Sequence, residues 1–151
     1  MEYMSPTERD SHINCTNVDA FKKVGIVINI CYGGFGISEW ARQQFKERAR
    51  ADGYIPQPER TDEKLIDLIE AHGSRVNGLC SSLIIEYIPN DYYINKCYRI
   101  DEYDGSETLV LLHNKYKLKK ITEIIQNEKL SESVRIEQTK QLLDLFEEIV
   151  D

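Results

Sequence analysis

The stretch VGIVINICYGGFGIS, residues 24–38 of a 151-residue chain, sets the expected architecture. Its first eight residues, Val24 to Cys31, are almost continuously apolar, which predicts a strand covered on both faces. The three glycines within residues 33–36 predict a tight turn in which at least one of them has a positive φ angle. Ser38 is a typical N-cap residue, so a helix is predicted from there to about Asp52.

The rest of the chain predicts an α+β fold, because its strands and helices are segregated instead of alternating. The expected fold is a small, mostly antiparallel sheet of about four strands, with two helices after the first strand and two C-terminal helices. Asp104-Gly105 predicts a two-residue type I′ turn that joins neighbouring strands of the sheet that contains Val24 to Cys31. The other predicted elements are a helix capped by Thr61 and stopped by Gly73, strands at Ser81–Ile88, 92–103 and Glu107–His113, and helices at Lys117–Asn127 and Ser131–Val150.

Three parts are expected along the chain: an N-terminal arm (1–22), an α+β core domain (23–116) and a helical extension (117–151) that packs on the core or on a partner. The formal net charge of −7 disfavours binding to a nucleic acid duplex. The sequence has no apolar run long enough for a membrane span and no signal-peptide pattern, which predicts a cytoplasmic protein that is not secreted. The four well-separated cysteines are expected to be reduced, and no metal or cofactor is predicted.

The glycine loop allows two interpretations. It is either a tight turn or, because a strand, a glycine turn and a helix N-terminus expose backbone N–H groups, a pocket for a small anionic or nucleotide-like ligand. Neither the dinucleotide nor the Walker fingerprint is present, and Glu39 can itself satisfy the helix dipole. A basic stripe at Arg42, Lys46 and Arg50 favours the ligand. The candidate ligand-binding residues are Tyr32, Gly33, Gly34, Phe35, Gly36, Ser38, Arg42 and Lys46.

The hairpin concentrates carboxylates at Asp101, Glu102, Asp104 and Glu107, and His113 follows at the end of the return strand. Paired carboxylates can hold a hard cation or act as acid and base, as in a hydrolase. Strand alternation, however, places Asp101 and Glu102 on opposite faces, so the acidic group is interpreted as solvated turn chemistry. No Ser/His/Asp or Cys/His constellation is readable, and no catalytic residue is predicted.

Several short motifs together resemble a family of small proteins of large DNA viruses and bacteriophages. They are CYGGFGIS (31–38), VNG (76–78), SSLIIEYIPND (81–91) and EYDGSE (102–107). The resemblance covers about residues 24 to 113, and it implies a viral protein of the infected cell's cytoplasm or of the virion. The family hairpin continues to a His-Arg pair and a tryptophan, of which only His113 is present here. The resemblance brings no established activity, and residues 117–151 have no counterpart in it.

The last predicted helix carries more apolar residues than one buried face needs. Leu142, Leu145, Phe146 and Ile149 form one stripe, and Ile136, Leu143 and Val150 form another. The second stripe is expected to be covered either by the 117–127 helix or by another chain. The leading hypothesis is therefore a non-enzymatic interaction protein that self-associates or binds a protein partner, and the alternative is a small-ligand binder. The candidate interface residues are Leu142, Leu143, Phe146, Ile149 and Val150.

Overall fold

The computed structural model describes residues 22–127 and 129–147. In this part of the chain the fold is α+β, as predicted, with four antiparallel strands and five α-helices. The order is β1 (Lys23–Asn29), α1 (Glu39–Gln43), α2 (Glu63–His72), β2 (Leu83–Pro89), α3 (Asn90–Ile94), β3 (Tyr98–Tyr103), β4 (Ser106–Leu111), α4 (His113–Gln126) and α5 (Glu132–Glu147), with short 3-10 helices at Lys46–Arg48 and Gly73–Val76.

The four strands form two separate two-stranded sheets. β1 pairs antiparallel with β2, and β3 pairs antiparallel with β4. The prediction of a single sheet containing both β1 and the hairpin is therefore wrong. The reason lies at the outer edge of β1, where the N–H of Val27 donates to the carbonyl of Arg60 and the N–H of Asn29 donates to the Glu107 carboxylate. These groups occupy the positions that a third strand would need.

β1 is covered on both faces, as its apolar run predicts. Val27 packs into a core formed with α1 and α2, which includes the fully buried Phe45 and Leu65. Ile26 and Ile28, on the opposite face, pack against the second sheet. β1 is thus the middle layer between the helices and the β3–β4 hairpin.

The first helix is shorter than predicted. Ser38 does cap it, because its hydroxyl accepts the N–H of Ala41, but the helix ends at Gln43 instead of near Asp52. The backbone then tightens to bonds between residues three apart, and Phe45 enters the core in this tighter turn. In the second helix, Gly73 is the C-cap as predicted, whereas Asp62 and not Thr61 caps the N-terminus.

Two further element boundaries differ from the prediction. The segment 92–103 is not one strand, because Tyr92 belongs to α3 and its buried ring packs in the core. The return strand ends at Leu111, and His113 begins α4 instead of closing the sheet. In the first place, an aromatic residue that fits a strand pattern is buried as part of a short helix.

A cluster of aromatic and charged side chains fixes the beginning of α4 on α3. The rings of Tyr92 and Tyr116 stack with centroids 4.4 Å apart, and Tyr92 Oη lies 2.7 Å from Nδ1 of His113. The Tyr116 hydroxyl donates to Asp91 at 2.7 Å, and Lys120 lies 3.5 Å from the same carboxylate. Burial, and then the hydrogen bond to Asp91, raise the pKa of the Tyr116 phenol well above its usual value of about 10.

Tyr116→Phe should make the free energy of unfolding less sensitive to alkaline pH. An unfolded tyrosine ionises near pH 10, before the folded Tyr116 does. The contribution of the protonated Tyr116 phenol to the free energy of unfolding is therefore complete below about pH 10 and is lost as the pH rises further. At pH 8 the variant should be about 1 kcal/mol less stable, because one hydrogen bond is missing. Urea unfolding at several pH values measures both effects. Tyr103→Phe, at an exposed ring, is the control and should reproduce the unmodified curve.

Candidate functional site

Three turns that are distant in sequence meet in the fold. We call this the turn junction, and it consists of the glycine loop (33–36), the segment 77–81 and the hairpin turn at residues 104–105. The N–H of Gly33 donates to the carbonyl of Asp104 at 3.2 Å. The carbonyl of Gly36 accepts the N–H of Gly78 at 3.1 Å and the hydroxyl of Ser81 at 2.6 Å. The motifs of the sequence are therefore neighbours in space.

Glycine is required in the junction for two reasons. Gly33 and Gly34 have φ angles of +121° and +96°, which confirms the predicted positive φ in the loop. Asp104 and Gly105 have φ angles of +49° and +86°, the signs that a type I′ turn needs. Space is the second reason, since a Cβ on Gly105 would lie 2.2 Å from the backbone nitrogen of Gly34. Backbone thus packs directly on backbone.

Asn29 connects the junction to the end of β1. Its side chain is completely buried, and its amide nitrogen donates to the carbonyls of Cys31 at 2.6 Å and Gly105 at 2.8 Å. Its amide oxygen accepts the backbone N–H groups of Cys31 and Ser82. One asparagine therefore satisfies backbone groups from three segments.

Glu107 is buried, so its interpretation as a solvated turn residue is wrong. Only 6% of it is exposed, and its Oε1 and Oε2 each lie 2.6 Å from one of the two terminal nitrogens of Arg60. Oε2 also accepts the N–H of Asn29 at 2.8 Å. The Arg60 guanidinium donates in addition to the carbonyl of Val27 and lies 4.4 Å above the ring of Phe35. The Glu107 carboxylate is therefore paired with a cation, and both of its oxygens accept hydrogen bonds, as a buried charge requires.

Sequence reasoning missed Arg60 and Asn29. Glu107 did carry a signal, because strand alternation places it on the same face as Leu109 and Leu111, which pack on the core. Arg60 carried none, since it lies 47 positions away in a loop, and only the tertiary fold brings it to Glu107.

The structure places the predicted ligand-binding residues in different surroundings. Tyr32 is 65% exposed, and Phe35 is engaged by Arg60. Arg42 lies 3.8 Å from Glu39 on the surface of α1, and Lys46 is exposed in the 3-10 helix that follows. The basic stripe at helical spacing is wrong because α1 ends before Lys46, and Arg50 stacks over Tyr54 instead.

A cavity of about 510 Å³ does lie beside the junction. It is lined by Gly36, Ile37, Ser38, Glu39, Asn77, Gly78 and Leu79. Of the candidate ligand residues it contains Gly36 and Ser38, while the charged side chain in its lining is the carboxylate of Glu39. An anionic ligand would therefore meet a like charge at this cavity. The geometry supports the tight-turn interpretation of the glycine loop.

Of the candidate interface residues, Leu142 is half-buried and Leu143 is 36% exposed in α5. The backbone of Phe146 lies in the last turn of α5, and Ile149 and Val150 lie outside the described residues.

Among the residues that the structure describes, no group of three or more His, Cys, Asp or Glu side chains could hold a metal ion. Among the same residues, no helix is long and apolar enough to cross a membrane. Comparison with protein-family models, with curated proteins and with solved structures gave no match.

Gly105→Ala should destabilise the protein far more than Gly53→Ala. Both glycines have nearly the same φ, +86° and +83°, so the backbone cost of about 1–2 kcal/mol is shared. A Cβ at Gly53 meets open space, whereas one at Gly105 meets the glycine loop. Overpacking there should add about 1–3 kcal/mol. Urea unfolding of both variants gives the difference, and equal losses would contradict the close packing of the junction.

Glu107→Gln should lower the free energy of unfolding by about 2–3 kcal/mol, because it leaves Arg60 without its counter-charge. The estimate is below that for a fully buried pair, since Arg60 is about one-third exposed. Glu102→Gln is the matched control on the same hairpin. Its exposed side chain can still accept the N–H of Gly105, so the expected change is under about 0.5 kcal/mol.

Proposed function

We propose that this protein acts through protein–protein contact, without catalysis, and that its contact surface is the pair of helices α4 and α5. In the described part of these helices no side chain is buried. Leu118, Ile125, Ile136 and Leu145 are between 51% and 66% exposed. Helices in proteins owe most of their stability to a packed apolar face. The exposed apolar surface is the observation that carries the proposal.

The two helices also leave a partly apolar cavity between them. Its volume is about 370 Å³, and its lining includes Ile125, Ile136 and Arg135. Nε of Arg135 is shielded from solvent and has no hydrogen-bond partner among the described residues. A buried donor without an acceptor is costly. A chain that covered this cavity could fill it and supply the missing acceptor.

The charges favour a second copy of the same chain as the partner. α4 carries four lysines and one glutamate, and α5 carries four carboxylates against one arginine and one lysine. Helix α4 is therefore basic and α5 acidic. A two-fold dimer brings the same surface of both copies together. If α4 of one copy lies on α5 of the other, opposite charges meet twice.

The exposure of the second apolar stripe of α5 supports this pairing. Ile136 and Leu143 are 51% and 36% exposed, so part of each side chain is open to another chain. Each well-buried side chain of this type contributes about 1.5–3 kcal/mol. The resemblance to viral and phage proteins supports a role in an infected cell, with this helix pair as the part that the family motifs do not include.

The full-length protein should sediment as a dimer at micromolar concentration, and Leu145→Asp or Ile125→Asp should convert it to a monomer. A buried, unpaired carboxylate opposes association strongly. Leu79→Asp is the matched control, because Leu79 is fully exposed and belongs to the turn junction, not to α4 or α5. Analytical ultracentrifugation measures the state of all four proteins.

Circular dichroism should show that each variant is folded. An unmodified protein that stays monomeric at high concentration would contradict self-association. Loss of the dimer in Leu79→Asp, with the dimer kept in the helix variants, would move the contact to the turn junction.

A further inference from the structure

The outer edge of β3 has backbone groups that the hairpin does not use. The N–H of Leu112 donates to the carbonyl of Cys97, and alternation along the hairpin then directs the groups of Arg99 and Asp101 toward β4. The N–H and C=O groups of Tyr98, Ile100 and Glu102 point the other way. Among the described residues, no backbone hydrogen bond outside the hairpin ladder uses them.

A groove of about 460 Å³ runs along this edge. Its lining contains β3 residues but none from β4, so it lies on the side of β3 away from its partner strand. The loop 57–61 and Ile26 also belong to its lining. Tyr98 and Ile100 contribute apolar surface, and the ring of Tyr93 stacks on Tyr98 with centroids 6.0 Å apart.

We propose that this groove binds an extended peptide segment of another protein, which adds as a strand to the outer edge of β3. A strand edge beside a groove offers the two parts of such recognition. Backbone hydrogen bonds hold any extended chain, and the groove selects every second side chain. The apolar and aromatic side chains of the lining favour alternating apolar residues in the peptide. This site is separate from the α4–α5 surface.

The charges around the groove favour a peptide flanked by lysine or arginine. Arg60 is paired with Glu107, and Arg99 is paired with Asp101. Glu59, which lines the groove, has no ion pair among the described residues, and the same holds for Glu102 on β3. The unpaired charges on the loop and on the edge strand are therefore negative. A basic flanking residue would complement them.

The test uses the full-length chain and a fluorescent heptapeptide, Lys-Val-Thr-Val-Thr-Val-Lys, blocked at its C-terminus. Two modified peptides carry N-methyl groups either on the valines or on the threonines. In a bound strand only one of these sets directs its N–H groups toward β3. Fluorescence anisotropy should therefore show binding weakened at least tenfold by one set and nearly unchanged by the other.

Glu59→Lys should weaken binding of the lysine-flanked peptide about fivefold and strengthen binding of a glutamate-flanked one. Glu86→Lys, an exposed charge change on β2, is the matched control and should alter neither. Absence of binding at millimolar peptide, or equal effects of the two N-methylated sets, would overturn the proposal. So would a dimer that is lost in Tyr98→Ala but kept in Leu145→Asp, since a second copy would then occupy the edge.

Discussion

The buried carboxylate of Glu107 is the group on which the arrangement of the two sheets depends. It is the point where the β3–β4 hairpin, the loop that carries Arg60 and the end of β1 are joined by hydrogen bonds. A carboxylate in this position would be strongly unfavourable if it were unpaired. The fold can bury this carboxylate because each carboxylate oxygen accepts a hydrogen bond from a charged or backbone donor. The same contacts cover the outer edge of β1, which leaves the hairpin as a sheet of its own.

The glycines extend this constraint to the turns. Asn29 bonds to Glu107 and to Gly105, and beside these contacts the glycine loop meets the hairpin turn through the Gly33–Asp104 backbone hydrogen bond. That approach leaves no space for a Cβ at Gly105. The three turns of the junction are thus one interlocked structure, in which turn geometry and buried polar groups depend on each other. Their clustering has a structural cause and does not require a ligand.

Local signals allowed a good part of the fold to be predicted. The strand covered on both faces, the Ser38 cap and the Asp104-Gly105 turn all depend on neighbouring residues, and the structure confirms them. The division into two sheets could not be predicted, because it depends on Arg60, whose partner lies far along the chain. The strand prediction for the segment that contains Tyr92 was wrong for a related reason, since a short apolar run fits a strand or a helix equally well.

The candidate ligand site is the feature for which the sequence-based expectation and the structure differ most. Glycines before a helix predict exposed N–H groups, but in the fold the Gly33 N–H donates to the carbonyl of Asp104. Arg42 lies beside Glu39, and Lys46 lies in the 3-10 helix that follows α1. The polar groups of the turn junction form hydrogen bonds with one another. A binding surface is therefore expected where polar groups lack a partner or apolar side chains are exposed. The two surfaces proposed above, the α4–α5 pair and the edge of β3, are of this kind. The local sequence gave no sign of the β3 edge, because its open N–H and C=O groups depend on which strands pair in the tertiary fold.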